Sequence, residues 1–305
     1  MEHPSATEDT IAARGCGGPA WTNVLGVRIS AVNLESATTR IEAAIAEGRR
    51  EYICVRDAHG VIRCQGDAEL RSAHNRAFMV TPDGMPLLWA LKHAGYAGSS
   101  RVYGPDLMLS VLQAGRSKGH RHFLYGATAE TLERLQARLV EKFPDLCIAG
   151  SWAPPFRELS AREEEEVCDR INRSRADVVW VGLGSPKQEL WMARMRGRLD
   201  APVLVGVGAA FDFHAGLKPQ APLFIQRSGF EWAFRLCCEP RRLWRRYAVV
   251  VPSFLVLRLL QRLGLRQFPI EQDTPDAWPI PEPGESGTFG AAFAMRPASN
   301  PSRSR

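Results

Sequence analysis

Short runs of apolar and β-branched residues alternate along this chain with segments in which apolar residues recur at helical spacing. Such alternation predicts βαβ units, in which a mostly parallel, Rossmann-like sheet carries helices on both faces, so the fold class is α/β. Six pairs of run and helix carry the prediction: VLGVRIS before 34–47, YICV before 68–76, AFMV before 85–93, HFLYG before 130–143, DVVWVGL before 187–196, and PVLVGVG before a segment past Pro219.

The two ends of the chain lack this alternation. Residues 1–20 contain no extended apolar run, and residues 269–305 hold seven prolines and few aliphatic side chains. This composition is typical of disorder, because too little apolar surface is available for burial. We therefore expect disordered tails at 1–20 and 269–305, an α/β domain at 21–230 and a basic helical appendage at 231–268.

Charge is concentrated in the segment 231–267. Its eight arginines face two glutamates, a surplus of six positive charges that equals the net charge of the whole chain, +6. A local surplus of this kind indicates an anionic partner, such as phosphate groups, acidic lipid head groups or nucleic acid. The apolar run 248–260 is interrupted by Pro252 and is too short to span a bilayer, but it suits a helix that lies on one.

Residues that could bind a ligand lie at or just after the ends of four apolar runs. Asp83 comes after AFMV, Gly126 ends HFLYG, residues 185–189 (SPKQE) follow DVVWVGLG, and residues 211–216 (FDFHAG) follow PVLVGVGAA. Ligands of parallel α/β sheets bind beyond the carboxyl ends of the strands, so we expect these residues to line one mouth. Two interpretations of Asp83 stay open: a turn or N-cap aspartate, or an acid–base residue.

The remaining motifs also allow a structural and a functional interpretation. GLGSPK and GVGAAF are either tight turns packed against the sheet or backbone amides facing a diphosphate, since both lack the third glycine of a dinucleotide fingerprint. In the first turn of a predicted helix, Glu189 is either a complement to the helix dipole and Gln188 a solvated residue, or the Gln188 amide recognises a nucleobase edge or a sugar hydroxyl. His59 and His214 are candidate general bases.

Metal ligation is not indicated by the sequence. Asp212 and His214 lie two residues apart without a third ligand nearby, and the seven cysteines show no C-x-x-C pair or Cys/His ligand spacing. We therefore expect no metal, no cofactor and no disulfide framework, and we interpret most cysteines as buried thiols. A carboxylate such as Asp212 is better suited to binding hydroxyl groups.

Taken in order, several stretches resemble the WecG/TagA/CpsF glycosyltransferase family. They cover about residues 24 to 248 and are TPDGMPLLWALKHAG, RVYGPDLM, FLYGA, VGLGSPKQELWMA, VGVGAAFDFHAGLKPQAP and EWAFRLCCEPRRLWRRY. The resemblance implies an enzyme that moves a sugar, with inversion, from a UDP-linked donor to an undecaprenyl-diphosphate-linked sugar. It also implies work at the cytoplasmic face of the membrane, in the assembly of teichoic acids, enterobacterial common antigen or exopolysaccharides.

The resemblance also assigns roles to particular residues. Its catalytic aspartate falls on Asp83, and its donor-pocket residues fall on Arg101, Gln188 and Asp212. The arginines of its membrane-contacting appendage fall on Arg235, Arg242 and Arg245. One departure concerns CVRDAHGV, where Arg56, or Val55 with a shifted gap, replaces a threonine of the relatives. A ligand contact of that hydroxyl is therefore in question, as is the role of Glu189 beside Gln188.

These observations predict a peripheral membrane enzyme at the inner face of the cell membrane. Asp83 is expected to act as the base, and the arginines Arg235, Arg242 and Arg245 are expected to face the diphosphate. The set Arg258, Arg262 and Arg266 is expected to hold acidic lipid, without a nucleic-acid partner, and the chain is a candidate homo-oligomer. Two alternatives stay open, an oxidoreductase with a nucleotide cofactor and a non-catalytic basic scaffold.

Overall fold

The computed structural model of the protein describes residues 18–222, 225, 231–238 and 240–270. The predicted tails lie outside these residues, apart from 18–20 and 269–270. The strands are β1 (Trp21–Val24), β2 (Val27–Ser30), β3 (Glu51–Arg56), β4 (Met79–Pro82), β5 (Arg121–Gly126), β6 (Cys147–Trp152), β7 (Val178–Gly182) and β8 (Val203–Gly206).

Helices follow most of these strands. They are α1 (Leu34–Ala46), α2 (Ala58–Arg63), α3 (Ala68–Asn75), α4 (Met85–His93), α5 (Gly104–Gly115), α6 (Ala129–Lys142), α7 (Ala161–Ser174), α8 (Lys187–Met195), α9 (Ala210–His214), α10 (Glu231–Cys238) and α11 (Pro240–Arg262). The bounds of α4 coincide with the predicted 85–93, and α1, α3, α6 and α8 agree with their predicted segments to within one residue at each end.

Six strands form one parallel sheet in the order β4-β3-β8-β7-β5-β6. Its register aligns buried side chains in a row across the sheet: Met79, Ile53, Val205, Trp180 and Leu124 are successive partners. Because every strand pair of this sheet is parallel, all six carboxyl ends lie at the same edge. The predicted α/β class with a mostly parallel sheet is confirmed.

Two hydrophobic cores cover the two faces of the sheet. Alternate residues of β3 show the division, because Tyr52 and Cys54 belong to one core and Ile53 to the other. The first core contains apolar side chains of α2, α4, α7 and α8, and the second contains those of α1, α5, α6 and α9. Helices therefore pack on both faces, as in doubly wound folds.

The structure corrects the prediction for the run VLGVRIS. We predicted one strand of the main sheet, but β1 and β2 form a separate antiparallel hairpin. The chain reverses at Leu25 and Gly26, whose φ angles are 52° and 80°, and the Asn23 side chain accepts a hydrogen bond from Gly26 N at 2.8 Å. Asn and Gly stabilise such a two-residue turn locally, so the apolar run cannot continue as one strand.

Five elements were absent from the predicted alternation: α2, α5, β6, α7 and α9. Helix α7 buries only Val167, Cys168 and Ile171 among fourteen residues, so its apolar stripe is narrow. Strand β6 is the edge strand next to β5, and all of its residues are half-buried. Strand β6 and helix α7 therefore leave a weak periodic signal in the sequence, whereas α5 buries seven of its twelve residues and was nevertheless missed.

Two helices occupy the basic C-terminal segment, as expected from Pro240. Helix α10 ends at Cys238, and α11 begins at Pro240 and continues through Pro252. Phe254 of α11 is buried in the first core, beside α2. The end of α11 also contacts the β1–β2 hairpin, because Leu25 N donates to Gln261 Oε1 at 3.1 Å. The boundary of the appendage at 231–268 stays a prediction.

Candidate active site

The candidate site lies at the carboxyl edge of the central strands. Strand β3 ends at Arg56, and its neighbours β4 and β8 end at Pro82 and Gly206. The segment from Ser185 to Glu189 follows β7, the next strand in the sheet. The topology therefore brings together loops that are more than 100 residues apart in the chain.

Asp83 is held at this edge by β4, which it follows in the chain, and by β3, which accepts a hydrogen bond from its amide. Its backbone amide donates to Arg56 O at 2.8 Å, and it directly follows β4. The N-cap position of α4 falls on Gly84, which provides no capping side chain. The cap position is therefore one residue beyond Asp83, and the aspartate carboxylate contacts a different group.

That group is the guanidinium of Arg101. Arg101 Nη2 donates to Asp83 Oδ1 at 2.9 Å, and Arg101 Nε contacts the main-chain oxygen of Asp83. Both side chains keep about a fifth of their surface exposed, 17% for Arg101 and 22% for Asp83. The structure thus joins the predicted base to a predicted donor-pocket residue, within reach of solvent and of a ligand.

The ring of Tyr103 packs against the guanidinium of Arg101. The sequence interpretation did not identify Tyr103 as part of the site. The Arg101 guanidinium carbon lies 4.4 Å from the centroid of the Tyr103 ring, a cation–π contact. Val102 lies between these two residues, and its backbone N donates to Pro82 O at 2.9 Å. This hydrogen bond attaches the segment to the end of β4. The sequence signal that could have identified Tyr103 is its position two residues after Arg101 in RVYGPDL, which places both side chains on the same side of an extended segment.

Arg56 is buried, and its guanidinium is directed toward α8. Only 4% of the residue is exposed, and its guanidinium pairs with Glu189, which is fully buried. Arg56 Nη1 also donates to Ser185 Oγ at 2.8 Å. A Cβ on Gly60 would stand 2.4 Å from Arg56 Nη1, so the glycine is required for this arrangement. Burial lowers the pKa of Arg56, but the charges of Glu189 and Asp57 outweigh burial and raise it overall.

Gln188 and Glu189 are both buried, so the interpretation of Gln188 as a solvated residue is wrong, whereas Glu189 does lie in the first turn of α8. Gln188 is 3% exposed, and its Nε2 donates to Glu189 Oε1 at 2.8 Å. The side chain of Gln188 lies against the end of β8, because a Cβ on Gly206 would stand 3.1 Å from Nε2. A buried carboxylate that pairs with a guanidinium is a structural tie between α8 and β3.

The two G-x-G motifs fulfil a packing requirement. A Cβ on Gly182 would stand 2.6 Å from the Phe211 ring, and a Cβ on Gly206 would stand 2.6 Å from Met192 Cε. Any side chain at either position would displace a buried neighbour. This supports the interpretation of tight turns packed against the sheet, and the contact with a diphosphate stays a prediction.

Asp212 and His214 point to different partners. Lys218 Nζ donates to Asp212 Oδ2 at 2.6 Å, whereas His214 Nε2 donates to Pro105 O at 3.0 Å. Burial lowers the pKa of His214, and the hydrogen bond to Pro105 opposes this shift. The hydrogen bond gives His214 Nε2 a structural role, and the general-base role of His214 stays a prediction. Among the described residues, no group of three or more His, Cys, Asp or Glu side chains is arranged to hold a metal ion.

The appendage arginines can be placed only by their backbone. Arg235 belongs to α10, and Arg242 and Arg245 belong to α11, so the predicted common face is divided between two helices. The side chains of all three lie outside the described residues. Their contact with a diphosphate therefore stays a prediction.

A parallel sheet that gathers acidic, basic and amide side chains at its carboxyl edge has the architecture of nucleotide-binding α/β enzymes. A sequence profile of the glycosyl transferase WecG/TagA/CpsF family matches residues 22–268, and the chain belongs to this family. The predicted family is thereby confirmed. Membership also decides between the open alternatives: the chain is a glycosyltransferase rather than an oxidoreductase or a non-catalytic scaffold.

Two similar proteins carry the same name, N-acetylglucosaminyldiphosphoundecaprenol N-acetyl-beta-D-mannosaminyltransferase. The chain is 35% identical over 179 residues to the one from Bacillus spizizenii, an alignment that covers 59% of this chain and 67% of the relative. It is 26% identical over 189 residues to the one from Staphylococcus aureus, covering 62% of this chain and 72% of the relative.

Proposed function

We propose that this protein transfers N-acetylmannosamine from a UDP-linked donor to N-acetylglucosamine on undecaprenyl diphosphate, with inversion at the anomeric carbon. The acceptor and the transferred sugar are those in the names of the similar enzymes. The observation that carries the proposal is the partly exposed Asp83 carboxylate beside Arg101 at the carboxyl edge of the sheet.

Asp83 supplies the base that an inverting transfer requires. Its carboxylate takes the proton from the acceptor hydroxyl while that oxygen attacks the anomeric carbon from the face opposite the diphosphate. A carbon–oxygen bond forms to the acceptor, the bond to the diphosphate breaks, and UDP leaves with the electron pair. The accumulating negative charge requires nearby cations or hydrogen-bond donors.

Guanidinium groups are the cations that this chain offers to the leaving UDP. Arg101 is already at the site, and Arg235, Arg242 and Arg245 are the further candidates on the appendage. The planar guanidinium matches two phosphate oxygens at once, which favours arginine for this role. Gln188 and Asp212 complete the proposed donor pocket, Asp212 as a partner for sugar hydroxyls.

A lipid-linked acceptor places the reaction at a membrane surface. Among the described residues, no helix combines the length and the apolar character that a membrane crossing needs. Helix α11 instead exposes apolar side chains along one face, including Leu255, Val256 and Leu259. We assign this face, with nearby arginines, to peripheral binding at an acidic membrane surface.

The proposed reaction is tested with a panel of UDP-sugars and an undecaprenyl-diphosphate or shorter polyprenyl-diphosphate acceptor carrying N-acetylglucosamine. We expect UDP release above background only with UDP-N-acetylmannosamine, together with a β-linked disaccharide on the lipid. Release with a different UDP-sugar would retain the reaction class and refute the sugar. Failure of every UDP-sugar with this acceptor would refute the acceptor.

A further inference from the structure

Arg56, Glu189 and Gln188 form a buried hydrogen-bonded chain behind the candidate site. The Arg56 guanidinium contacts Glu189 Oε1, and the same oxygen accepts from Gln188 Nε2 at 2.8 Å. Arg56 and Glu189 are 133 residues apart and are 4% and 0% exposed. The three side chains therefore link β3 to the first turn of α8, away from bulk water.

These hydrogen bonds determine the orientation of the Gln188 side-chain amide, that is, where its NH₂ donor and its oxygen acceptor lie. Glu189 Oε1 accepts a hydrogen bond from the Arg56 guanidinium, so the group of Gln188 that faces the same oxygen is the NH₂ donor. Arg56 and Gln188 both donate to this one oxygen, so its position relative to the amide is set by two hydrogen bonds. The amide oxygen of Gln188 is consequently turned away from Glu189.

That oxygen is buried and has no hydrogen-bond partner among the described residues. It lies beside Gly208, because a Cβ built on Gly208 would stand 3.4 Å from Gln188 Oε1. Gly208 has φ +52° and follows β8 at the carboxyl edge of the sheet. A side chain at position 208 would therefore crowd this oxygen, which lies at the edge where substrates of such sheets bind.

We propose that Arg56 and Glu189 are positioning residues that hold Gln188 as an obligate hydrogen-bond acceptor for an N–H or O–H group of the donor substrate. The inference rests on the proposed function and adds a selection rule: the group recognised by Gln188 must carry a proton. The uracil imide and a sugar hydroxyl both satisfy this rule. An unpaired ring nitrogen, such as N3 of cytosine, does not.

The inference is tested by a double-substitution cycle on ligand affinity, with calorimetric titration of UDP and of UDP-N-acetylmannosamine. We expect Arg56→Met, Glu189→Gln and Gln188→Ala each to weaken binding of UDP-N-acetylmannosamine about tenfold, the effect of one hydrogen bond, and to weaken UDP equally where the nucleoside is the group recognised. Arg56→Met in the Gln188→Ala background should add less than a further twofold, because Arg56 acts only through Gln188. Loss toward UDP itself identifies the nucleoside as the partner, and loss confined to the nucleotide sugar identifies the sugar.

Independent losses that multiply in the double variant would overturn the proposal, and so would unchanged affinity for both ligands in Arg56→Met. Should removal of the single charge prevent folding, Arg56→Met/Glu189→Met removes both charges and still frees the amide, with the same tenfold expectation. Arg50→Met is the matched control, since Arg50 pairs with Asp200 at the surface. Turnover by the unaltered protein tests the proposed function. The non-additivity of the Arg56 and Gln188 substitutions on ligand affinity tests this inference, so one of the two can fail while the other holds.

Discussion

Asp83 follows a strand whose four residues are all buried, and its amide is fixed by Arg56 O on the neighbouring strand. Its carboxylate emerges at the first position where the chain leaves the sheet, beside Arg101. A short polar side chain on a rigid strand end is well suited to acid–base work, because its position changes little when a ligand binds.

Substitution of this residue tests its role as the base. We expect Asp83→Asn to reduce the transfer rate by about 10²–10⁴-fold, since the amide has a similar size but cannot accept the proton. Affinity for UDP and the melting temperature should remain close to those of the unaltered protein. Asp200→Asn, at a surface ion pair, is the matched control. A rate within tenfold of the unaltered enzyme would assign Asp83 a structural role instead.

Two buried histidines provide a second prediction for single residues. His122 accepts a hydrogen bond from Trp180 Nε1 at 3.3 Å, and burial, with a smaller effect of His120, lowers its pKa to about 4. Burial, followed by the charge of Arg56, also lowers the pKa of His74 to about 4. In the unfolded chain both titrate near 6.5, so between these values the unfolded state binds more protons and stability falls as pH falls.

We therefore expect the free energy of unfolding to decrease from pH 7.5 to pH 5, with about 2 kcal/mol of the loss due to His122. His122→Gln retains an acceptor for Trp180 but does not titrate, so its loss over this range should be smaller by that amount. Urea unfolding at both pH values measures the difference. The exposed His93→Gln serves as the control, and an equal loss in His122→Gln and the unaltered protein would contradict the prediction.

Helix α11 has two faces with different partners. Phe254 and Leu257 pack in the first core, and Val250 is also buried. The opposite face exposes the apolar side chains of Val249, Val251, Leu255, Val256 and Leu259. Leu263, directly after the end of α11, is exposed as well. The spacing of Leu255, Leu259 and Leu263 places them on one stripe. One helix therefore joins the α/β body on one side and offers an apolar surface on the other.

Arg258 corrects the predicted lipid-binding set. Its Nη1 donates to Gln261 Oε1 at 2.6 Å and approaches Asn23 O, and burial lowers its pKa. The guanidinium thus belongs to the contact between α11 and the hairpin. Arg262 and Arg266 are exposed and remain in the predicted set.

We expect Arg262→Ala/Arg266→Ala to weaken binding to acidic vesicles by about 2 kcal/mol, an effect that added salt reduces. Leu255→Glu/Leu259→Glu should also weaken binding, since it places charge on the apolar stripe. Arg258→Ala should instead lower the melting temperature and leave vesicle binding unchanged. Co-sedimentation with vesicles and thermal unfolding separate these outcomes. A loss of vesicle binding in Arg258→Ala alone would contradict this division of α11.

At the scale of the whole molecule, the chain returns after α11 to its own beginning. Phe268 is 9% exposed, and its main-chain oxygen accepts from Asn23 Nδ2 at 2.8 Å on the β1–β2 hairpin. The C-terminal and N-terminal parts of the domain therefore stabilise each other. Residues 271–305, which lie outside the described residues, have the proline-rich composition that the sequence interpretation assigned to a tail.

Truncation tests where the folded part ends. A chain that stops after Ile270 should keep the stability and the activity of the full chain, because the proline-rich segment has little apolar surface to bury. Phe268→Ala should cost about 3 kcal/mol, as for other buried aromatic truncations. Thermal unfolding and UDP release measure both. An inactive but folded chain ending at 270 would assign a function to the removed segment.

The sequence alone determined the elements whose signal is local. Apolar periodicity indicated the helices α1, α3, α4, α6 and α8 and most strands of the sheet, since a side chain's position relative to a strand or helix face depends only on its neighbours in the chain. It also indicated that Asp83, Gln188 and Asp212 follow strand ends. The hairpin and α7 were missed, because a turn and a narrow apolar stripe interrupt the pattern that this reasoning uses.

Only the tertiary structure decided which of these residues contact each other. Arg56 lies on β3 and Glu189 on α8, whereas Asp83 and Arg101 lie in two different loops, and the order β4-β3-β8-β7 brings these parts of the chain together. A buried charge is stable only beside its partner, and that partner is 133 residues away in the case of Arg56. Strand order arises from the packing of the entire sheet, so no local stretch of sequence contains it.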